Sequence, residues 1–117
     1  MLKFHSPSLA QGVPSVAPKQ LKTELSGDTP PLVLDVRETD ELAISRLSGA
    51  THLPLGQLGE RFGELDQDRD IVVLCRSGAR SAEATKFLLR QGFRSVRNVS
   101  GGINAWAREV DPSLPVY

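Results

Sequence analysis

Two short apolar runs, LVLDV at 32–36 and IVVLC at 71–75, constrain this chain more than any other feature. Each is rich in β-branched residues, too short for a helix, and without the polar alternation of a half-exposed strand. A strand that is apolar on both sides has to be covered on both sides, which is the condition of a central strand in a parallel sheet. Parallel neighbours cannot be joined by a hairpin and need a crossover, usually a helix. The rest of the chain supplies the crossovers. Pro18 stands at a plausible first helical position, Leu21 and Leu25 lie four apart, and Gly27 ends the segment. Between the two runs come ETDELAIS, of helical composition, the short extended piece THLPL, and QLGERFGELDQ, with Leu58, Phe62 and Leu65 at helical spacing. After Cys75, SGARSAEATKFLLRQGF places Ala84, Phe87 and Leu88 in one stripe, with Gly92 as its natural stop. A weaker strand, SVRNV, follows, and then a last helix, INAWAREV, between Gly101–Gly102 and Pro112. Strands alternating with helices predict an α/β fold: one domain with a central, mostly parallel sheet, helices on both faces and right-handed crossovers.

With 117 residues the chain is expected to form a single domain. A chain of this size buries roughly two-thirds of its unfolded surface, so its core needs no staple. Residues 1–14 hold two Pro, two Ser and a Gly without periodicity and are read as a flexible tail or linker, leaving residues 15–117 as the domain, with structure beginning near Val16. One Cys cannot form an internal disulfide, and two His 47 positions apart without a Cys cluster are too few for a zinc site, so no metal and no cofactor are expected. No apolar run approaches the ~20 residues that span a bilayer, and the start MLKFHSPSLAQ has no apolar stretch of the secretory kind. These features predict a cytoplasmic protein without membrane attachment. Fourteen basic residues balance fourteen acidic ones, which argues against nonspecific nucleic-acid binding. The balance hides a division: residues 24–70 carry 4 basic and 11 acidic side chains, residues 76–108 carry 7 and 1. Either these are two solvated faces, or they make a field that draws an anion towards the start of the basic half.

Cys75 stands at that start. It ends an apolar strand, and Arg76-Ser77-Gly78-Ala79-Arg80-Ser81 runs straight into a helix. The carboxyl end of a buried parallel strand opens on the crevice where α/β sheets bind ligands. Amides of a tight, Gly-containing loop and of the helix start converge there, and the helix dipole adds positive charge, making a nest for an anion. Loop amides, dipole, Arg76 and Arg80 all favour a thiolate over a neutral thiol, so Cys75 is a candidate nucleophile. A lone cysteine ending a core strand is otherwise just a small apolar side chain, and it is the Cys-x-x-Gly-x-Arg-Ser context that favours chemistry.

Two reaction classes place a cysteine at a helix start. Tyrosine phosphatases have five residues between Cys and Arg, whereas here four separate Cys75 from Arg80. The shorter loop makes a smaller cradle, better matched to one sulfur atom or a small sulfur oxyanion than to a phosphoryl ester. A phosphatase or arsenate reductase remains the weaker alternative, with an acid from the acidic half as proton donor. A noncatalytic module binding a partner through the same nest is the other.

These residues resemble the rhodanese-like sulfurtransferases. The resemblance runs from Val16 to Tyr117 and rests on Leu34-Asp35-Val36-Arg37-Glu38 with Glu41, on Gly49-Ala50 leading to Leu53-Pro54, on Cys75 to Ser81, and on Gly101-Gly102-Ile103-Asn104-Ala105-Trp106. Ser45-Arg46-Leu47 stands where the family usually has Gly-His-Ile. With the ending Val110 to Tyr117, the chain looks most similar to the rhodanese domain carried by adenylyltransferases of molybdopterin and thiamine biosynthesis. The resemblance implies a Cys75 persulfide, formed from thiosulfate or a related donor and discharged to an outside acceptor, with Arg76, Ser77, Gly78, Ala79 and Arg80 as the anion-binding loop. It also implies a small sulfur-containing anion as substrate and a sulfur-carrier protein or a cysteine desulfurase as possible partners.

Other candidates have plainer expected roles. Asp35, Arg37, Glu38 and Glu41 are read as an ion-paired network holding strand to helix rather than a substrate site. His52, in its extended segment, is not expected to serve as a base for Cys75. Ile103, Trp106 and Val110 have core spacing. Both loop serines could donate to bound sulfur, but Ser81 could equally satisfy the early helix amides, so only Ser77 is taken as a candidate donor.

Overall fold

The computed structural model describes residues 9, 10 and 12–117. Six strands form one sheet: β1 (Leu9–Ala10), β2 (Val13–Val16), β3 (Leu32–Asp35), β4 (Thr51–His52), β5 (Asp70–Leu74) and β6 (Ser95–Val99). Their spatial order is β1-β2-β6-β5-β3-β4. Five run parallel, and β1 adds an antiparallel edge to β2. The two apolar runs are the interior neighbours β3 and β5, in register from Leu32 opposite Ile71 to Asp35 opposite Leu74.

Helices cover both faces, because side chains alternate across each strand. Val33, Val72, Leu74 and Val99 face α1 (Pro18–Leu25) and α4 (Gly102–Glu109), packing with Leu21, Ile103 and Trp106. Leu34, Ile71, Val73 and Val96 face α2 (Leu55–Arg61) and α3 (Ala79–Arg90), packing with Leu58, Ala84 and Leu88. Trp106 is therefore a core residue, as its spacing predicts. Outside the core, Arg97 on β6 pairs with Glu24 of α1 at 2.6 Å and with Asp70 of β5 at 3.1 Å, tying three elements together.

The fold departs from the sequence reading in two places. Residues 1–14 are not a tail throughout: Leu9–Ala10 pairs with Val13–Pro14, and β2 continues alongside β6. The cause is burial, since Val13 and Val16 are 1% and 3% exposed in a strand whose Pro14 and Ser15 masked its apolar character. The remainder of that stretch, residues 1–8 and 11, lies outside the described residues. The ETDELAIS segment contains a tight 3₁₀ turn, Thr39–Ala43, rather than an α-helix. Glu38 and Glu41 cap it reciprocally, and none of its residues is buried, so no apolar face asks for a longer helix. Among the described residues no helix is long and apolar enough to cross a membrane.

Candidate active site

Cys75 follows β5 directly, and its residue is 1% exposed. Gly78, at φ +117°, turns the chain sharply from β5 into α3. A left-handed residue here brings the Gly78 N–H back onto the Cys75 Sγ, at 3.1 Å. Ala82 takes up the Gly78 carbonyl, beginning the helical ladder, while the N–H groups of Ala79, Arg80 and Ser81 have no protein acceptor among the described residues. This is the ordinary state of a helix start, and it leaves a set of donors at the mouth of the loop.

The loop's carbonyls point the other way. Ile103 N–H donates to the Cys75 carbonyl at 2.9 Å and Asn104 N–H to that of Arg76 at 3.1 Å, so the first turn of α4 clamps the cysteine backbone. Gly102 makes this approach possible. A Cβ on Gly102, whose φ is +65°, would lie 2.6 Å from the Cys75 carbonyl oxygen and collide with that of Arg76.

The two arginines are both engaged. Arg80 holds Glu41 through both guanidinium ends, at 2.6 and 2.9 Å, so its charge is largely matched within the protein. That contact holds the Glu41 carboxyl down to about 2. Arg76 is exposed, donates from Nε to the Tyr117 carbonyl, and lies 5.0 Å over the Tyr117 ring. Asn104 secures Tyr117 at its backbone N–H and carbonyl, at 3.1 and 3.0 Å. The Tyr117 hydroxyl donates to Glu41 and receives from Arg37 at 2.8 and 2.9 Å, and burial pushes its phenol above the usual range.

Arg37 is the hub behind the loop. It is fully buried, and its guanidinium donors go to Asp35, to the Glu41 and Ser45 carbonyls, and to the Tyr117 hydroxyl. This is the ion-paired network the sequence suggests. His52 bonds the Arg37 carbonyl through Nε2 at 2.7 Å and belongs to the same structural corner.

Of the two loop serines, it is Ser81 that the structure brings to the cysteine sulfur. Ser77 is exposed, and no partner for its hydroxyl occurs among the described residues. Ser81 is fully buried, with Oγ 3.2 Å from Cys75 Sγ, 3.2 Å from the Gly78 carbonyl oxygen, and in a short contact with Asn98 Oδ1. Sequence reasoning missed Asn98, Tyr117 and the Arg80–Glu41 pair. Asn98 leaves a trace: it shares the inward register of Val96 on β6, where an apolar residue is the rule. Nothing in the local sequence marks the long-range contacts of Tyr117.

The model of the rhodanese-like domain matches residues 17–109. A putative sulfurtransferase of Bacillus subtilis, YtwF, is 37% identical over 100 residues, which make up 86% of this chain and 96% of that protein. A putative sulfur carrier protein of the same organism, YrkF, is 33% identical over 107 residues; the match takes in 92% of this chain but only 58% of that longer protein. An adenylyltransferase and sulfurtransferase of Zea mays is 38% identical over 95 residues, 75% of this chain and 20% of its own length. Among solved structures, a rhodanese-related protein of Thermoplasma volcanium superposes with a TM-score of 0.77 at 32% identity, covering 89% of this chain and 97% of the other. The family match runs unbroken from the first helix through the cysteine loop to the last helix, and by it the chain belongs to the rhodanese-like domain family.

Proposed function

We propose that the chain moves a sulfane sulfur from thiosulfate or a persulfide donor to a thiophilic acceptor through a persulfide on Cys75. The observation that carries this reading is the cradle: the Gly78 N–H on the sulfur, with the donors of Ala79, Arg80 and Ser81 left without protein acceptors. Relatives named as sulfurtransferases support sulfur transfer as the class of activity. In the first step the Cys75 thiolate attacks the outer sulfur of thiosulfate. A new S–S bond forms, the donor's S–S bond breaks, and sulfite leaves with the electron pair. In the second, an acceptor thiolate or cyanide takes the outer sulfur, and Cys75 departs as thiolate. The amides from Arg76 to Arg80 stabilise the persulfide's charge without having to reorient. Exposed Arg76 supplies attraction for the anionic donor, and Arg80 acts mainly by fixing the loop to Glu41.

Cys75 is the chain's single cysteine, so the persulfide has no internal resolving thiol and the acceptor is external. The naming of one relative as a putative sulfur carrier favours a sulfur-carrier protein as acceptor, with a cysteine desulfurase as a possible donor. Persistent thiolate chemistry suits the reducing cytoplasm. Intact-protein mass measurement before and after thiosulfate, polysulfide or a persulfide donor, with Cys75→Ala as control and cyanide as discharger, tests the reading. The expected result is a gain of one sulfur mass that requires Cys75 and vanishes with cyanide. No adduct from any donor would replace the enzyme reading with that of a binding module.

A further inference from the structure

We propose that Asn98 is a positioning residue for Cys75, acting through Ser81: its buried amide sets the direction of the Ser81 hydroxyl and thereby whether the sulfur receives a hydrogen bond from it. The inference rests on the sulfurtransferase reading for its purpose but not for its geometry. Three facts lead to it. Ser81 Oγ lies between Cys75 Sγ and Asn98 Oδ1. Cys75 is 1% exposed, and both Ser81 and Asn98 are 0% exposed. The Asn98 Nδ2 is buried with no partner among the described residues, an expensive condition for a group with two donors.

A hydroxyl has one proton to give, and here the Gly78 carbonyl, the Asn98 carbonyl oxygen and the sulfur all lie within reach of it. With Cys75 as a neutral thiol the chain of bonds runs outward: S–H donates to Ser81 Oγ, and Ser81 donates to Asn98 Oδ1. Once the thiol has released its proton to solvent, the sulfur can only accept. Turning the Asn98 amide by half a rotation about its last bond exchanges Oδ1 and Nδ2 with no other heavy atom moving. Nδ2 then donates to Ser81 Oγ, and the Ser81 hydroxyl donates to the thiolate, which already accepts from Gly78 N–H. The second arrangement gives a partner to a donor that the first leaves orphaned and puts an acceptor oxygen in the unpartnered place, and bonds in such a buried series reinforce one another. A short polar residue at an inward strand position is thereby explained by the sulfur two side chains away.

The charged and titratable groups around Cys75 are Arg76 and Arg80 on the loop and α3, Glu41 paired with Arg80 on the 3₁₀ turn, and Tyr117 against Arg76 and Glu41. None of these changes in the variants that test the relay; Asn98→Asp adds a carboxyl of its own, so the uncharged Ser81→Ala and Asn98→Leu carry the test. The readout is the rate of Cys75 alkylation by iodoacetamide across acid to alkaline pH, with native folding checked by circular dichroism. Ser81→Ala and Asn98→Asp should each slow alkylation at neutral pH by about tenfold or more and move the profile to higher pH. Ser81→Thr, which keeps the hydroxyl, should stay within about threefold of the parent. Asn98→Leu, close in volume and uncharged, covers the case in which the aspartate variant fails to fold, and it should slow the parent by about three- to tenfold. In the Ser81→Ala background Asn98→Leu should add nothing, because the amide reaches the sulfur only through that hydroxyl. Parent-like rates in Ser81→Ala or Asn98→Leu, or a further slowing by Asn98→Leu in the absence of the Ser81 hydroxyl, would overturn the relay. A chain that shows these ratios yet takes up no sulfur would overturn the sulfurtransferase reading and leave the relay standing.

Discussion

Gly102→Ala is the substitution whose consequences the structure defines most sharply. The residue has φ +65°, and an alanine held in the left-handed region costs about 1–2 kcal/mol. The new Cβ would also sit against the Cys75 and Arg76 carbonyls, closer than real carbons approach. Relief requires α4 to back away, which weakens the bonds from Ile103 and Asn104 to those carbonyls, each worth about 1 kcal/mol. Strain and weakened bonds together predict a loss of about 3–5 kcal/mol, a large part of the ~5–15 kcal/mol typical of a domain. Gly92→Ala is the matched control, because Gly92 has φ +92° but open space where its Cβ would be, so only the ~1–2 kcal/mol of backbone strain applies. Urea unfolding of both variants, alongside Cys75 alkylation, makes the comparison. Gly102→Ala should lose more stability than Gly92→Ala and should alone change thiol reactivity. Equal losses, with reactivity unchanged in both, would refute the claim that Gly102 lets α4 clamp the cysteine backbone.

Three further outcomes are expected. Arg37→Ala leaves the buried Asp35 carboxylate without its partner and should cost about 3–5 kcal/mol in urea unfolding, if the chain folds at all. Arg37→Lys, which cannot reproduce the fork, should still lose more than an exposed substitution such as Arg94→Lys. Glu41 has a folded value of about 2 against an ordinary 4.5, so its contribution is fully present above about pH 4.5 and is lost as pH falls towards 2. Glu41→Gln should therefore flatten the acid limb of a stability–pH curve by about 1–3 kcal/mol, and an unchanged limb would count against the Arg80 pair as its cause. Tyr117→Phe removes the hydroxyl shared by Arg37 and Glu41, with an expected loss of about 1–2 kcal/mol by thermal unfolding.

The legible part of this molecule is the part written in short-range patterns. The runs at 32–36 and 71–75 announce buried strands because burial on both faces leaves no room for polar alternation. The Gly78 turn and the helix after it are encoded within a dozen residues, and so the cysteine's place at a strand end could be read directly. The strand Val13–Val16 was harder, because Pro14 and Ser15 interrupt its apolar character and its partner β6 lies some eighty residues away. The 3₁₀ turn at Thr39–Ala43 has the composition of a helix, but no buried face to stabilise a longer one. Arg80 looks from its position like an anion hook, and only the folded chain brings Glu41, 39 residues earlier, against it. Ser77 and Ser81 cannot be ranked from the sequence alone, because which hydroxyl turns towards the sulfur depends on the phase of α3 relative to β5 and on Asn98 across the sheet.

The opposed orientation of the loop's polar groups has a consequence for how fast the site can respond. Carbonyls of Cys75 and Arg76 are taken up by α4, while the Gly78 amide lies on the sulfur and the free amides at the start of α3 point back towards the loop, as at any helix start. In water, a charge that shifts from one sulfur to the next must wait for solvent dipoles to turn, and much of the barrier lies in that turning. Here the dipoles on the protein side were fixed when the chain folded, and the α4 clamp prevents them from swinging round to present oxygen to an anion. In the proposed transfer, negative charge moving one bond length outward from Cys75 would stay among donors that are already aligned.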